Sequence, residues 1–260
     1  MEFFQLYFLN LTVIFVLMTI LWLVSIRLRN VSIVDLFWGV GFVVSASVYA
    51  FFTENIGARG VILLILVAIW GLRLSGYLAW RNIGKGEDFR YQEFRRQYGA
   101  HRYWWISYFQ TFLLQGILMW LISAPLLGAF QGHTYEALSW IDVAGIVSWI
   151  IGFSFEAGGD WQLANFKSDP SNKGKVLDSG FWRYTRHPNY FGDAAVWWGF
   201  GLFSISAGNY LPVLGSLLMT ALIIKVSGVA LLEKTLKTDK PEYAEYTRRT
   251  SSFIPWFPKK

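Results

Sequence analysis

Between Leu177 and Asp193 the chain is basic and aromatic, and the apolar run Ala194 to Ile205 follows directly. Pro188 suits the first helical position, where its missing N–H costs nothing, which makes His187 the flanking cap residue. A helix is therefore expected to start here, with Arg183, Arg186 and His187 at its mouth. The free N–H groups and positive dipole end of a helix start, reinforced by arginines, suit a phosphate-bearing cofactor. Asn189 and Asp193 are four residues apart and share one helical face, so the polar mouth continues into the apolar segment. Upstream, Glu156, Asp160 and Lys167 fall at offsets of four and seven, again one face. Two readings stand for them: an Asp160–Lys167 ion pair, or groups that order the same cofactor.

Other ionisable residues lie inside apolar runs. Asp35 sits in the first turn of the segment beginning Val31-Ser-Ile-Val-Asp, either as a dipole-favoured acid or as a buried acid facing the bundle. Arg73 is two turns from the end of its segment at Trp80, too far in to snorkel easily, and is expected to point into a polar cavity. No Cys is present, which excludes disulfides and thiolate chemistry. His101, His133 and His187 are too far apart to suggest a metal site, so no metal is expected.

The elements that carry these residues are membrane spans. The chain is 54% hydrophobic and only 15% charged, against about 25% charged in a soluble domain. Apolar runs recur near 8–26, 33–52, 60–80, 106–130, 143–162, 189–206 and 213–232. They predict an all-α polytopic bundle of seven transmembrane helices forming one domain over 1–260, with a cofactor half at about 143–260. The first run is too long for a signal-peptide core, and its positive charges follow it. The net charge of +6 does not imply nucleic acid, because Lys and Arg flank the spans. They gather in loops one, three and five and in the tail; loop two holds only Arg59, and loops four and six hold none. The positive-inside rule then places the N-terminus outside and the C-terminus in the cytoplasm. All the basic polar stretches thereby face one compartment, within reach of one cytoplasmic nucleotide. The tryptophans Trp104, Trp105 and Trp256 are expected at membrane interfaces, and Trp197 and Trp198 in packing.

Asp160-Trp-Gln-Leu-Ala-Asn-Phe-Lys167 and Gly180 through Asp193 resemble the steroid 5-alpha-reductase superfamily. With Val34-Asp-Leu-Phe-Trp-Gly39 and Glu87-Asp-Phe-Arg-Tyr91, the full length is similar to an uncharacterised bacterial branch of it. The resemblance implies a seven-helix bundle with NADPH bound between helices at the cytosolic side. It implies that Asp160 and Lys167 contact the cofactor, that Asn189 and Asp193 hold the nicotinamide end, and that Arg73 matches an arginine of the third helix. Arg183 and Arg186 near the phosphates are an electrostatic inference. The Gln-Glu pair and the Tyr with which animal steroid reductases polarise their substrate are not found; Trp70 stands nearest the Tyr position, and the nearest acids are Asp35 and Glu54.

The expected function is NADPH-dependent reduction of a carbon–carbon double bond conjugated to a carbonyl, in a lipophilic substrate drawn from the bilayer of a bacterial inner membrane. Asp35, kept protonated by desolvation, is the expected acid. An S-adenosylmethionine-dependent membrane methyltransferase is the alternative, on the strength of His187-Pro-Asn-Tyr190 and Glu233. A non-catalytic membrane protein or transporter lined by Arg73, Asp193 and Lys225 is a further one.

Overall fold

The structure, a computed structural model, describes residues 1–132, 137–227 and 243–259. His133, Glu233 and the end of the seventh apolar run lie outside the described residues. The described residues are helical, without a strand; an isolated bridge joins Thr185 to Ser251. In chain order the helices are α1 (Phe3–Leu28), α2 (Ile33–Leu36), α3 (Trp38–Phe51), α4 (Gly57–Asn82), α5 (Phe89–Tyr98), α6 (Ala100–Phe130), α7 (Trp140–Ser168), α8 (Pro188–Ser206), α9 (Leu211–Lys225) and α10 (Tyr243–Arg249).

Four of these, α1, α4, α6 and α7, are long and apolar enough to cross a membrane, with 26, 26, 31 and 29 residues. At about 1.5 Å per residue the shortest of them reaches about 39 Å, more than the roughly 30 Å of bilayer hydrocarbon. Their outward faces carry large apolar side chains such as Phe4, Phe8, Ile65, Leu72 and Val143, all exposed. Such faces need an apolar solvent. The apolar helices α3 and α9 are shorter. The second apolar run is not one helix: α2 ends at Leu36, Phe37 steps out of helical geometry at φ −94° and ψ 1°, and α3 begins at Trp38.

The chain groups into two compact units, Met1–Leu138 with Phe203–Pro212, and Ser139–Leu202 with Val213–Lys260. The second takes in most of the stretch expected to bind the cofactor.

In the first unit, α3 and α4 meet backbone to backbone. A Cβ on Gly39 would lie 2.2 Å from the Gly71 carbonyl oxygen. Trp70, Phe42 and Tyr49 fill the space beside this crossing and are fully buried. A polar knot lies in the same unit. The Asn10 amide donates to the Tyr49 hydroxyl at 2.7 Å and to Ser123 Oγ at 3.3 Å, and Tyr49 and Ser123 share a hydrogen bond of 2.8 Å. All three are fully buried. Ser123 also marks the step in α6 ahead of Pro125, whose ring cannot continue the helical ladder. Helix α6 contains a π-helical stretch at Tyr108–Leu113. Arg59, read from sequence as a loop charge, is instead in the first turn of α4, buried, and donates to Ser206 Oγ at 3.1 Å.

In the second unit, α7 and α8 pack through glycines at seven-residue spacing. Gly145, Gly152 and Gly159 face Gly199, Gly192 and the Pro188–Asn189 start of α8. A Cβ on Gly192 would lie 2.4 Å from both the Glu156 nitrogen and the Gly152 carbonyl oxygen, and a Cβ on Gly199 would lie 2.8 Å from the Gly145 carbonyl oxygen. Small residues let helices approach this closely where no hydrophobic effect drives them together. Gly192→Ala should therefore force α7 and α8 apart, with a loss of about 1–3 kcal/mol from overpacking. Gly76→Ala, with nothing within 4 Å of its Cβ, should be neutral or stabilising. Thermal unfolding in detergent of both variants checks this; equal melting temperatures would disprove the backbone contact.

Candidate functional site

Helix α8 begins at Pro188, as the Pro-at-N1 rule predicts. The His187 carbonyl accepts from Phe191 N at 3.0 Å, and His187 N donates to Thr185 Oγ1 at 3.3 Å. The imidazole is buried and stacks on Tyr190, with ring centroids 5.7 Å apart. Because Gly159 lets α7 touch the start of α8, the Asn189 amide reaches Asp160 and donates to Oδ1 at 3.1 Å. Asp160 and Glu156 are both buried on α7. Asp193 lies one turn further along α8 and is partly buried. Asp160 and Asn189 thus form a polar pair between apolar helices, with buried Glu156 one turn earlier on α7 and buried His187 just before α8. A buried carboxylate persists there only with partners, and the Asn189 amide is one. The cluster offers both acceptors and donors, as an amide-bearing ring or a ribose requires.

Lys167 is exposed in the last turn of α7. With Asn172, Lys173 and Lys175 it lines a cavity of about 420 Å³. The sequence did not single out Lys173 or Lys175; their clustering depends on the 3-10 turn Pro170–Asn172, which Asp169 caps by accepting from Ser171 N at 2.8 Å.

The arginines of the mouth divide. Arg183 is exposed. Arg186 is engaged with the C-terminal segment: Nη1 donates to the carbonyls of Thr247 and Thr250 at 2.9 and 2.8 Å, and its backbone N donates to Ser251 O at 2.9 Å. Tyr246 OH donates to Trp182 O, and Thr185 Oγ1 donates to Phe253 O at 2.9 Å. Trp256 N closes on Tyr184 O at 2.9 Å. The tail, read from sequence as aromatics docking at an interface, is bound along the 182–186 loop, so Arg186 holds the chain together as well as carrying charge. The sequence carried no signal for this, because the partners are backbone carbonyls about sixty residues away.

In the first unit Asp35 is partly exposed and is an acceptor. Oδ2 accepts from Arg90 Nη2 at 2.9 Å, and Oδ1 accepts from Tyr91 OH at 2.7 Å and from Gln115 Nε2 at 3.5 Å. Gln115 also donates to Tyr91 OH at 3.3 Å. Burial, then the charge of Asp35, pushes the Tyr91 phenol far above its ordinary range, so it stays protonated. Asp35 thus gathers Arg90, Tyr91 and Gln115 around one carboxyl group. Asp35, the expected acid, is in salt-bridge contact with Arg90 at 2.9 Å. Gln115, a polar residue within the fourth apolar run, was the signal that could have found this cluster. Burial opposes the charge of Asp88, but the side-chain and backbone hydrogen bonds from Arg90 outweigh it and hold the carboxyl below its ordinary 3.8. Glu87 Oε1 accepts from Val31 N at 2.8 Å, and Arg95 grips both Glu87 oxygens at 3.0 and 2.8 Å. The Glu87-Asp-Phe-Arg-Tyr91 motif is therefore what ties α5 to the α1–α2 turn and to Asp35.

Arg73 is partly buried, with its guanidinium 5.6 Å from the Tyr77 ring centroid. Trp70 is core, with its ring 5.8 Å from Phe42. Trp197 is fully buried, as expected for packing, whereas Trp198 is exposed and donates to Thr220 Oγ1 at 3.1 Å. Lys225 is exposed. Among the described residues no group of His, Asp and Glu could hold a metal ion.

Two outcomes follow from these contacts. Arg186→Ala removes two charge-assisted bonds of roughly 1.5–3 kcal/mol each, so limited proteolysis within 247–259 should accelerate at least tenfold; wild-type resistance would show the tail is held otherwise. A depressed folded pKa contributes stability above the unfolded pKa that is lost as pH falls through the folded value. The melting-temperature gap between wild type and Asp88→Asn should therefore be constant near neutrality and close below 3.8.

Residues 21–250 match the family described as protein of unknown function (DUF1295). An uncharacterized protein of Schizosaccharomyces pombe, C594.04c, is 24% identical over 265 residues, which cover 93% of this chain and 77% of that protein. No solved structure matches the chain. A match spanning both the Asp35–Tyr91 motifs and the Asp160–Asn189 cluster is a match to the whole architecture, and the chain belongs to the DUF1295 family.

Proposed function

We propose that the protein is a multi-pass membrane reductase that uses NADPH to saturate a carbon–carbon double bond conjugated to a carbonyl in a lipophilic substrate. The reading includes seven spans, a cytoplasmic C-terminus and a bacterial inner membrane. The observation that carries it is the hydrogen bond from Asn189 to buried Asp160. It joins the two motifs that resemble the steroid 5-alpha-reductase superfamily, 160–167 and 180–193, at the start of α8. The lysine-lined cavity beside Lys167 supports it further, since phosphates need such a surface.

The residues that would hold NADPH are Asp160, Asn189, Asp193 and His187 toward the nicotinamide and ribose, and Lys167 and Arg183 toward the phosphates. Arg186 stays in the reading as a contributor of charge that also anchors the tail, and Arg73 as a cation carried over by resemblance. When bound, NADPH supplies the hydride. The chain's own tasks are to orient the cofactor through Asn189 and Asp160 and to exclude water with apolar helices. A proton must also be supplied and charge on the substrate oxygen stabilised. Asp35 is the residue expected to serve as the acid.

NADPH should raise the melting temperature of the detergent-purified protein in a concentration-dependent way, as any ligand of the folded state does. Asn189→Ala should abolish that rise. A rise with S-adenosylmethionine alone would move the protein to the methyltransferases; silence from both on folded protein would favour a non-catalytic role. Once a substrate is in hand, Asp35→Asn should lower turnover by about 10²–10⁴-fold, with unchanged NADPH binding. Full turnover in that variant would remove Asp35 from the mechanism.

A further inference from the structure

Where α1 ends and α6 begins, the first unit contains a cavity of about 470 Å³ that no part of the proposed reaction uses. Its walls include Ser25 and Ile26 of α1, Arg29, Arg95 of α5, and Tyr103 and Trp104 of α6. Ala100, the first residue of α6, lines both this cavity and an adjoining one of about 500 Å³ bordered by Arg95 and Arg96.

The chemistry is that of an anion site. Arg29 is exposed and has no ion pair among the described residues, and the same holds for its neighbours Arg27 and Arg102. The acids nearby are already engaged: Glu87 by Arg95 at 2.8 Å and Glu93 by Arg96 at 2.6 Å. No side chain caps the start of α6 at Gly99, so the positive end of a 31-residue helix faces the region uncompensated. Tyr103 is fully buried, lines the cavity, and shares a side-chain hydrogen bond with Thr111. A hydroxyl both donates and accepts, so one such bond still leaves the Tyr103 hydroxyl able to meet a ligand.

The surroundings decide which anion fits. The cavity opens beside side chains that face an apolar solvent: Leu23, Val24 and Leu28 of α1, and Trp104, Trp105 and Phe109 of α6, all exposed. Trp22 and Trp104 stack with centroids 6.2 Å apart, and Trp22 Nε1 donates to Trp104 O at 2.7 Å, an aromatic pair of the kind found at headgroup depth. A soluble phosphate would leave this apolar rim uncovered. We propose that the cavity is a binding site for one anionic phospholipid, its phosphodiester held by Arg29, the α6 N-terminus and the Tyr103 hydroxyl, and its acyl chains laid along α1 and α6. Basic pockets between membrane helices bind lipid headgroups in this way.

The test is the melting temperature of purified full-length protein in a neutral detergent, titrated with phosphatidylglycerol, phosphatidylcholine or inorganic phosphate. Phosphatidylglycerol should give a saturable rise that weakens with salt, and the other two should not. Arg29 is held at φ 52°, a left-handed position that Asn tolerates better, so Arg29→Asn removes the charge without straining the fold. It should weaken the apparent phosphatidylglycerol affinity about fivefold, the value of one arginine at a lipid surface. Ala100→Leu, at an exposed position, should block the cavity and abolish the rise, and it decides the matter if Arg29→Asn does not fold. Arg81→Gln, on α4, should behave as wild type. The proposal is overturned by an equal rise with phosphatidylcholine, by inorganic phosphate reproducing the rise, or by wild-type affinity in both Arg29→Asn and Ala100→Leu.

Discussion

Backbone-to-backbone contact at glycine is the constraint on which the rest of this structure depends. Helices that face an apolar solvent gain nothing from burying apolar surface against one another, so they associate by close packing and by internal hydrogen bonds. Gly152, Gly159 and Gly192 remove the side chains that would keep α7 and α8 apart. The same approach in the first unit, Gly39 on Gly71, sets α3 against α4. Only at that separation can a short side chain such as Asn189 span from one helix to Asp160 on the next. The polar chemistry is a consequence of the glycine spacing.

The second consequence is that every polar group within the helices has to be matched inside the protein, since a bilayer offers no water to replace a partner. The Asn10–Tyr49–Ser123 knot and the Asp35–Tyr91–Gln115 cluster show two solutions. The first joins neutral groups deep among apolar side chains and is suited to fixing the register of three helices. The second includes a carboxyl, a guanidinium and a phenol near a loop, where charge can be tolerated.

The loops obey a related rule. The 81–99 connection is held by Glu87, Asp88 and Arg95 against the α1–α2 turn, and the tail is held by Arg186, Tyr246 and Thr185. In both cases a charged or hydroxyl side chain satisfies backbone groups that no helix or strand ladder serves, the usual requirement for irregular chain. The match to the DUF1295 family covers the 81–99 connection and the tail as far as residue 250.

By itself the sequence determined that the chain is helical, that long apolar helices organise it, that α8 starts at Pro188, and that Asn189 and Asp193 share one face of it. These follow from local physics: hydropathy over about twenty residues, the fixed φ of proline, and the 3.6-residue period that puts i and i+4 on one face. Tertiary structure alone decided that Asn189 reaches Asp160, that Arg186 clamps the tail, that Arg59 is buried within α4, that Asp35 answers to Arg90 and Tyr91, and that the second apolar run breaks at Phe37. Each of these depends on which segments distant in sequence come within about 3 Å. Hydrophobic periodicity reports which face of a helix is apolar, but it carries no information on which partner that face will meet or how closely the two backbones will approach.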